Sequence, residues 1–285
     1  MSSIIIDILS NLGENIKKVY KKLCERSSWQ NKISRNGKTT TLFGISEVTM
    51  KKRKSKLSKL PNEEVQIIIP HHESFDTLNS CIESIIENTT SSYSILVCDN
   101  NSSKRTRESL NKLCESFDFV DCIKADKKKG LAYATNVGLK KAFQKRQNIA
   151  ILDSNIIVTP NWLEELKIVL YNDSNVGMAV PRQVILDNNV AKLHVPSFQS
   201  DLEVDIGLSS YYDNVIDPLY STDGECELIF APLTCALLRY EDAVSVGFLD
   251  AQKKCDIYCW NYSNTLRYNI GKKIVYTPYS KIYTF

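Results

Sequence analysis

No apolar run in this 285-residue sequence reaches the roughly 18 residues needed to cross a bilayer, so a spanning segment is not expected. A secretory-type leader is also lacking, and so is any C-x-x-C pair. The nine cysteines are scattered, and the two nearest are Cys255 and Cys259. An odd count without metal-like spacing points to a reduced, cytoplasmic compartment, soluble or peripheral at a membrane, with most thiols serving as small buried hydrophobes. Basic charge is scarce outside the N-terminal arm: residues 1–60 hold 14 Lys/Arg against 4 Asp/Glu, whereas the remainder holds 22 against 29. A main body that is mildly acidic lacks the basic face a nucleic-acid binder needs. Glycine is missing where a nucleotidyl-transfer loop would require it, because the first strong strand runs into Pro70-His71-His72-Glu73.

What is present is an ordinary globular composition, 43% hydrophobic and 24% charged, which places the chain among folding sequences rather than disordered or fibrous ones. The length accommodates one domain of about 200 residues plus an appendage. We place the appendage at 1–64 and the domain at 65–285. Ile5, Leu9, Leu12, Ile16, Val19 and Leu23 recur at steps of four and three, a narrow helical seam that Gly13 weakens. Residues 4–23 therefore want a partner surface: the chain's own body, a second copy, or an anionic membrane surface. Residues 27–64, with the basic run Lys51-Lys52-Arg53-Lys54-Ser55-Lys56, read as a solvated linker or loose arm.

From Val65 the texture changes to apolar strands alternating with amphipathic helices. The pattern predicts strands at 65–70, 94–98, 119–125 and 149–152, and helices at 75–87, 105–117 and 131–144. Such alternation implies an α/β fold whose mostly parallel sheet is flanked by helices, and ligands in such sheets sit at the carboxyl ends of the strands. Those ends are polar here: Pro70-His71-His72-Glu73, Asp99-Asn100-Asn101-Ser102 and Asp153-Ser154-Asn155.

These stretches, together with Lys129-Gly130-Leu131-Ala132-Tyr133-Ala134-Thr135-Asn136, Pro160-Asn161-Trp162-Leu163 and Val246-Gly247-Phe248-Leu249-Asp250, resemble glycosyltransferase family 2, of the GT-A fold, across 65–285. The resemblance implies a nucleotide-diphosphate sugar as donor and a saccharide or other hydroxyl as acceptor, with inversion at the transferred carbon. It places Pro70, His72, Glu73, Asp99 and Asn101 about the base, where Asp99 would accept from a uracil or thymine N–H. An Asx turn or helix cap is the competing use of Asp99. Lys129, Gly130 and Asn136 would line the donor pocket, and Lys127 and Lys128 read as a solvated turn. Asp153, Ser154 and Asn155 stand at the family's Asp-x-Asp, which holds Mn²⁺ or Mg²⁺ against the donor diphosphate.

Three departures accompany the resemblance. The second carboxylate of that motif is the amide of Asn155. The family's acidic base positions fall on Cys255 and Ile257, leaving Asp256 as the candidate base. Its C-terminal metal-binding His is replaced by Thr284. The implied acceptor side is the strand containing Thr234 and Cys235, with Phe198, Tyr211 and Tyr212 as candidate stacking aromatics. The departures keep a second reading open, a pseudo-glycosyltransferase serving as a binding or scaffold subunit.

Overall fold

The computed structural model describes residues 53, 55–126, 128–187, 190–194 and 224–284, with the side chains at 184–194 and at Asp256 outside that description. The seam at 4–23, most of the basic arm, Lys127, Phe198, Tyr211 and Tyr212 lie outside the described residues.

The strands are β1 (Val65–His71), β2 (Tyr93–Asp99), β3 (Val120–Lys124), β4 (Asn148–Leu152), β5 (Ile156–Val158), β6 (Val176–Asp187), β7 (Val190–His194), β8 (Cys226–Leu228), β9 (Cys235–Leu238) and β10 (Lys273–Thr284). The helices are α1 (Phe75–Asn88), α2 (Lys104–Ser116), α3 (Leu131–Lys145), α4 (Trp162–Asn172), α5 (Tyr240–Val246) and α6 (Cys255–Asn264), which runs on into a π turn at Thr265–Asn269. One sheet contains every strand among the described residues in the order β3-β2-β1-β4-β9-β6-β10-β5, with β7 added to β6 and β8 to β10. The β3-β2-β1-β4 part is wholly parallel. Beyond it the sheet is mixed: β9 runs antiparallel to β4 and β6, while β6 and β10 are parallel.

The alternation of strand side chains explains why β1 is apolar at consecutive positions. Ile67 and Ile69 point into the cluster under α1, α2 and α4, and Ile68 into the cluster under α3, α5 and α6. All three are fully buried. Each such side chain contributes about 1.5–3 kcal/mol. Close packing on the α3 side depends on Gly138, where a Cβ would stand 2.6 Å from Ile68 Cγ2 and 2.7 Å from Cys98 Sγ. On the other face Trp162 opens α4 fully buried, its indole N–H donating to Thr89 Oγ1 at 2.9 Å.

The described end of the arm differs from a solvated linker. Arg53 is buried, with Nε 2.5 Å from Glu165 Oε2, Nη1 2.8 Å from Glu225 Oε1 and its guanidinium 3.7 Å from the centre of the Tyr279 ring. Lys167 Nζ donates to the carbonyls of Pro61 and Glu63 at 3.0 and 3.1 Å. A charge run looks solvated in sequence because nothing there reveals that Glu165 and Glu225 converge on one of its members.

Candidate donor and acceptor site

Pairing β1 with both β2 and β4 brings the three polar strand ends to one rim of the sheet. At the first end, Glu73 takes a left-handed backbone with φ 63° and is exposed. Its carboxylate accepts from Ser103 N at 2.6 Å and from Thr106 Oγ1 at 3.0 Å. The Ser103 N–H, more than any other neighbour, holds the Glu73 carboxyl below the usual carboxylate range. Its backbone N–H donates to Ser102 Oγ at 2.9 Å, so the first two strand ends are tied together. His72 is half-buried, and its Nδ1 has no hydrogen-bond partner.

At the second end Asp99 is 1% exposed, and its Oδ1 accepts from Ser102 N at 3.0 Å and from Ser102 Oγ at 2.5 Å. The carboxylate thus closes its own turn by reaching the N–H and O–H three residues on. Asn101 takes φ 58° within the same turn. Its neighbour Asn100, not singled out from the sequence, is buried and accepts from Lys129 N at 3.1 Å, which fastens the loop before α3 to the end of β2. Lys129 itself lies over the Tyr133 ring, 4.6 Å from its centre, and Tyr133 donates to Asp126 at 2.5 Å. Gly130 has φ 92°, and nothing stands within 4 Å of where its Cβ would be, so the backbone at the start of α3 faces open space. Asn136 is engaged elsewhere: its amide donates to Leu249 O and accepts from Leu249 N, both at 2.8 Å. It joins α3 to the loop before α6.

At the third end Asp153 is half-buried, its N–H donating to Thr234 O at 2.8 Å. Burial, with a smaller push from Cys255, moves its carboxyl up to about 7. Ser154 and Asn155 form the turn into β5 and are also half-buried. Thr234 Oγ1 lies 3.4 Å from Gln183 Oε1, and Gln183 Nε2 donates to Thr284 Oγ1 at 2.8 Å. Gln183 therefore joins the candidate acceptor residue Thr234 to the position where the resemblance expected a metal-binding His; no sequence motif marks it. Thr234 and the buried Cys235 border a shallow depression together with Val180, Pro181, Gln183, Pro232 and Ile282. Asp256 is the second residue of α6, whose first residue, the exposed Cys255, acts electrostatically on Asp153.

A hard divalent cation prefers several anionic oxygens. Asp153 and Asn155 would offer one carboxylate, itself raised towards neutrality, and one amide carbonyl. Among the described residues no group of three His, Cys, Asp or Glu side chains is arranged to hold a metal ion. The described residues fit such an ion poorly. No helix among them is long and apolar enough to cross a membrane.

Comparison with known proteins bears on the family and the fold. A UDP-Glc:alpha-D-GlcNAc-diphosphoundecaprenol beta-1,3-glucosyltransferase of Escherichia coli is 31% identical over 125 residues, 44% of this chain and 47% of that protein. A second E. coli protein with the same stated activity is 38% identical over 93 residues, 33% of this chain and 36% of its own length. This chain thus spans less than half the length of either relative in the matched region. The solved structure of GalNAc-T7 with UDP, GalNAc and Mn²⁺ superposes with a TM-score of 0.62 at 19% identity, covering 79% of this chain and 44% of that one; it shares the GT-A fold. The model for "Glycosyl transferase family 2" matches residues 66–242, the span that contains all three polar strand ends, and the chain belongs to that family.

Proposed function

We propose that this chain transfers a sugar, with inversion, from a uracil- or thymine-type nucleoside diphosphate donor to a hydroxyl of a saccharide or related acceptor. The convergence of Pro70–Glu73, Asp99–Ser102 and Asp153–Asn155 on one rim carries the reading. In this reading His72 stacks on the base, and the Asp99 turn supplies the acceptor for its imide N–H. The open backbone at Gly130 and the N-terminus of α3, with Lys129 beside it, suit the donor diphosphate, because unpaired N–H groups and the helix dipole favour anions. Asp153 meets the sugar-phosphate end, and Asp256 removes the acceptor proton as the nucleotide diphosphate leaves. When bound, Mn²⁺ or Mg²⁺ would neutralise charge on that leaving group at Asp153 and Asn155. The poor donor set there gives this chain little hold on the ion. The E. coli relatives are named for UDP-glucose and a GlcNAc-diphospholipid, which supports a UDP donor and a saccharide acceptor.

The test is sugar transfer from a panel of UDP- and dTDP-sugars, with and without Mn²⁺. Turnover lost in Asp256→Ala is the expected result, and unchanged turnover removes that residue from the mechanism.

One observation favours the second reading, a catalytically impaired binding or scaffold subunit. Two of the three metal-side positions carry no charge, Asn155 and Thr284, and burial pushes the third, the Asp153 carboxyl, up to about 7. Calorimetric UDP binding with no transfer from any donor would support it. Measurable transfer would remove it.

A further inference from the structure

His71 lies at the carboxyl end of β1, beside the candidate base-binding residues rather than among them. It is fully buried, and neither Nδ1 nor Nε2 has a hydrogen-bond partner. A neutral imidazole always carries one N–H donor and one bare acceptor, so both are left unsatisfied. Each unmet group costs about 1–3 kcal/mol when buried. Such a cost at a strand end that faces the ligand rim asks for an explanation.

The nearest explanation is across the sheet. His71 and Asp99 are register partners in the parallel β1–β2 pair, and the Asn100 N–H donates to His71 O at 2.8 Å. Val65, Ile67 and Ile69 on β1, like Ile95 and Val97 on β2, point to the α1/α2 face, so alternation sends His71 and Asp99 there as well. The imidazole thus stands beside a carboxylate that is presently bonded to Ser102 alone.

We propose that His71 is a positioning residue of the donor site: neutral, it leaves the Asp99 carboxylate to the Ser102 turn and to a nucleobase, and protonated, it takes that carboxylate for itself. The inference rests on the reading of Asp99 as the base acceptor given above. Burial is the main influence on the ring and lowers its pKa, opposed by Asp99. His72 lowers it further and Glu73 raises it. The direction keeps His71 neutral at ordinary pH and places the change on the acid side, where an imidazole gaining a carboxylate partner is drawn towards its charged form. Because Ser102 also receives the Glu73 N–H, a carboxylate drawn towards His71 loosens the turn that joins the two strand ends.

The chain holds three histidines, so their ring signals can be followed individually by NMR, with His71→Gln and His72→Gln used for assignment. The probe is uridine, which carries no phosphate to titrate alongside the protein. Binding and protonation that compete for Asp99 are reciprocally linked. Saturating uridine should therefore lower the His71 titration midpoint by about half a pH unit or more, which corresponds to roughly three-fold weaker uridine binding on going from a pH well above both midpoints to one well below them. In His71→Leu, uridine affinity should be level across that range. A His72 signal that responds to uridine while the His71 midpoint stays fixed overturns the proposal and leaves the donor-site reading intact, as does an unaltered pH dependence in His71→Leu. If uridine moves neither ring, the donor-site reading falls, and this inference with it.

Discussion

The half of the sheet built from β1 to β4 and the half built from β5 to β10 treat their polar residues differently. In the first half each strand end is wired into the next. Glu73 is held by Ser103 and Thr106, Asp99 by Ser102, and Asn100 by Lys129. In the second half the groups nearest the expected chemistry are neutral or thiol, as at Asn155, Cys255 and Thr284, and Gln183 joins Thr284 to Thr234. On the proposed function, the nucleotide side of the rim is held by local hydrogen bonds while its phosphate and acceptor side carries little charge, so that transfer would depend on very few groups.

The sharpest way to break that comparison is Asp256→Ala. If the second half retains a working base, sugar transfer measured by release of the nucleotide diphosphate should fall by about 10²–10⁴-fold, while UDP affinity by calorimetry is nearly unchanged. Next in size is Trp162→Ala, which empties a fully buried site between α1, α4 and β10. Urea unfolding should show a loss of about 3–5 kcal/mol, and a loss under 1 kcal/mol would mean that the core of this half is loosely packed.

Arg53→Ala leaves Glu165 buried without its cation, and the expected loss is about 3 kcal/mol by the same measurement. Burial raises the Glu165 carboxyl and Arg53 lowers it, so Glu165→Gln should cost less than Arg53→Ala. If Arg53→Ala changes nothing, the arm's described end is held by Lys167 and not by this ion pair.

The smallest expected effect is a pH dependence at Asp153, because solvent reaching this half-buried carboxyl screens much of its shift. Its folded pKa, pushed up to about 7, exceeds the unfolded value of 3.8. Between those values the folded state binds more protons than the unfolded one, so this group makes stability fall as pH rises through that window. Asp153→Asn removes the slope. The variant should be more resistant to urea than the parent at pH 8 and should lose that advantage near pH 4. An advantage constant with pH would place the carboxyl in a more polar setting than the one described.

Much of the first half was legible from the residues. Short apolar runs at 67–69, 95–98 and 149–152, each bounded by turn residues, read as strands buried on both faces, and the polar residues after them fall at the ligand end by topology. The alternative turn role for Asp99 was legible too, since Asp, Asn and Ser in succession favour local hydrogen bonds. Helix ends moved by single residues where a cap decided them, as Ser103 does for α2 by accepting from Thr106 N. The second half was less legible. Its strands are short or irregular, with a break in the β10–β6 register between Thr277 and Lys281, and their antiparallel pairings join segments far apart in sequence.

The sequence by itself determined the class of fold, the rim on which the polar strand ends meet and the family, because periodicity and local order depend on neighbours a few residues apart. Only the tertiary structure decided how those side chains are used. It spends Asn136 on the Leu249 backbone, buries Arg53 between two carboxylates from distant segments, links Thr234 to Thr284 through Gln183, and leaves His71 without a partner beside Asp99. The physical reason is common to all four: a hydrogen bond or an ion pair is decided by separations of a few ångströms, and the partners here lie between 28 and 172 residues apart along the chain.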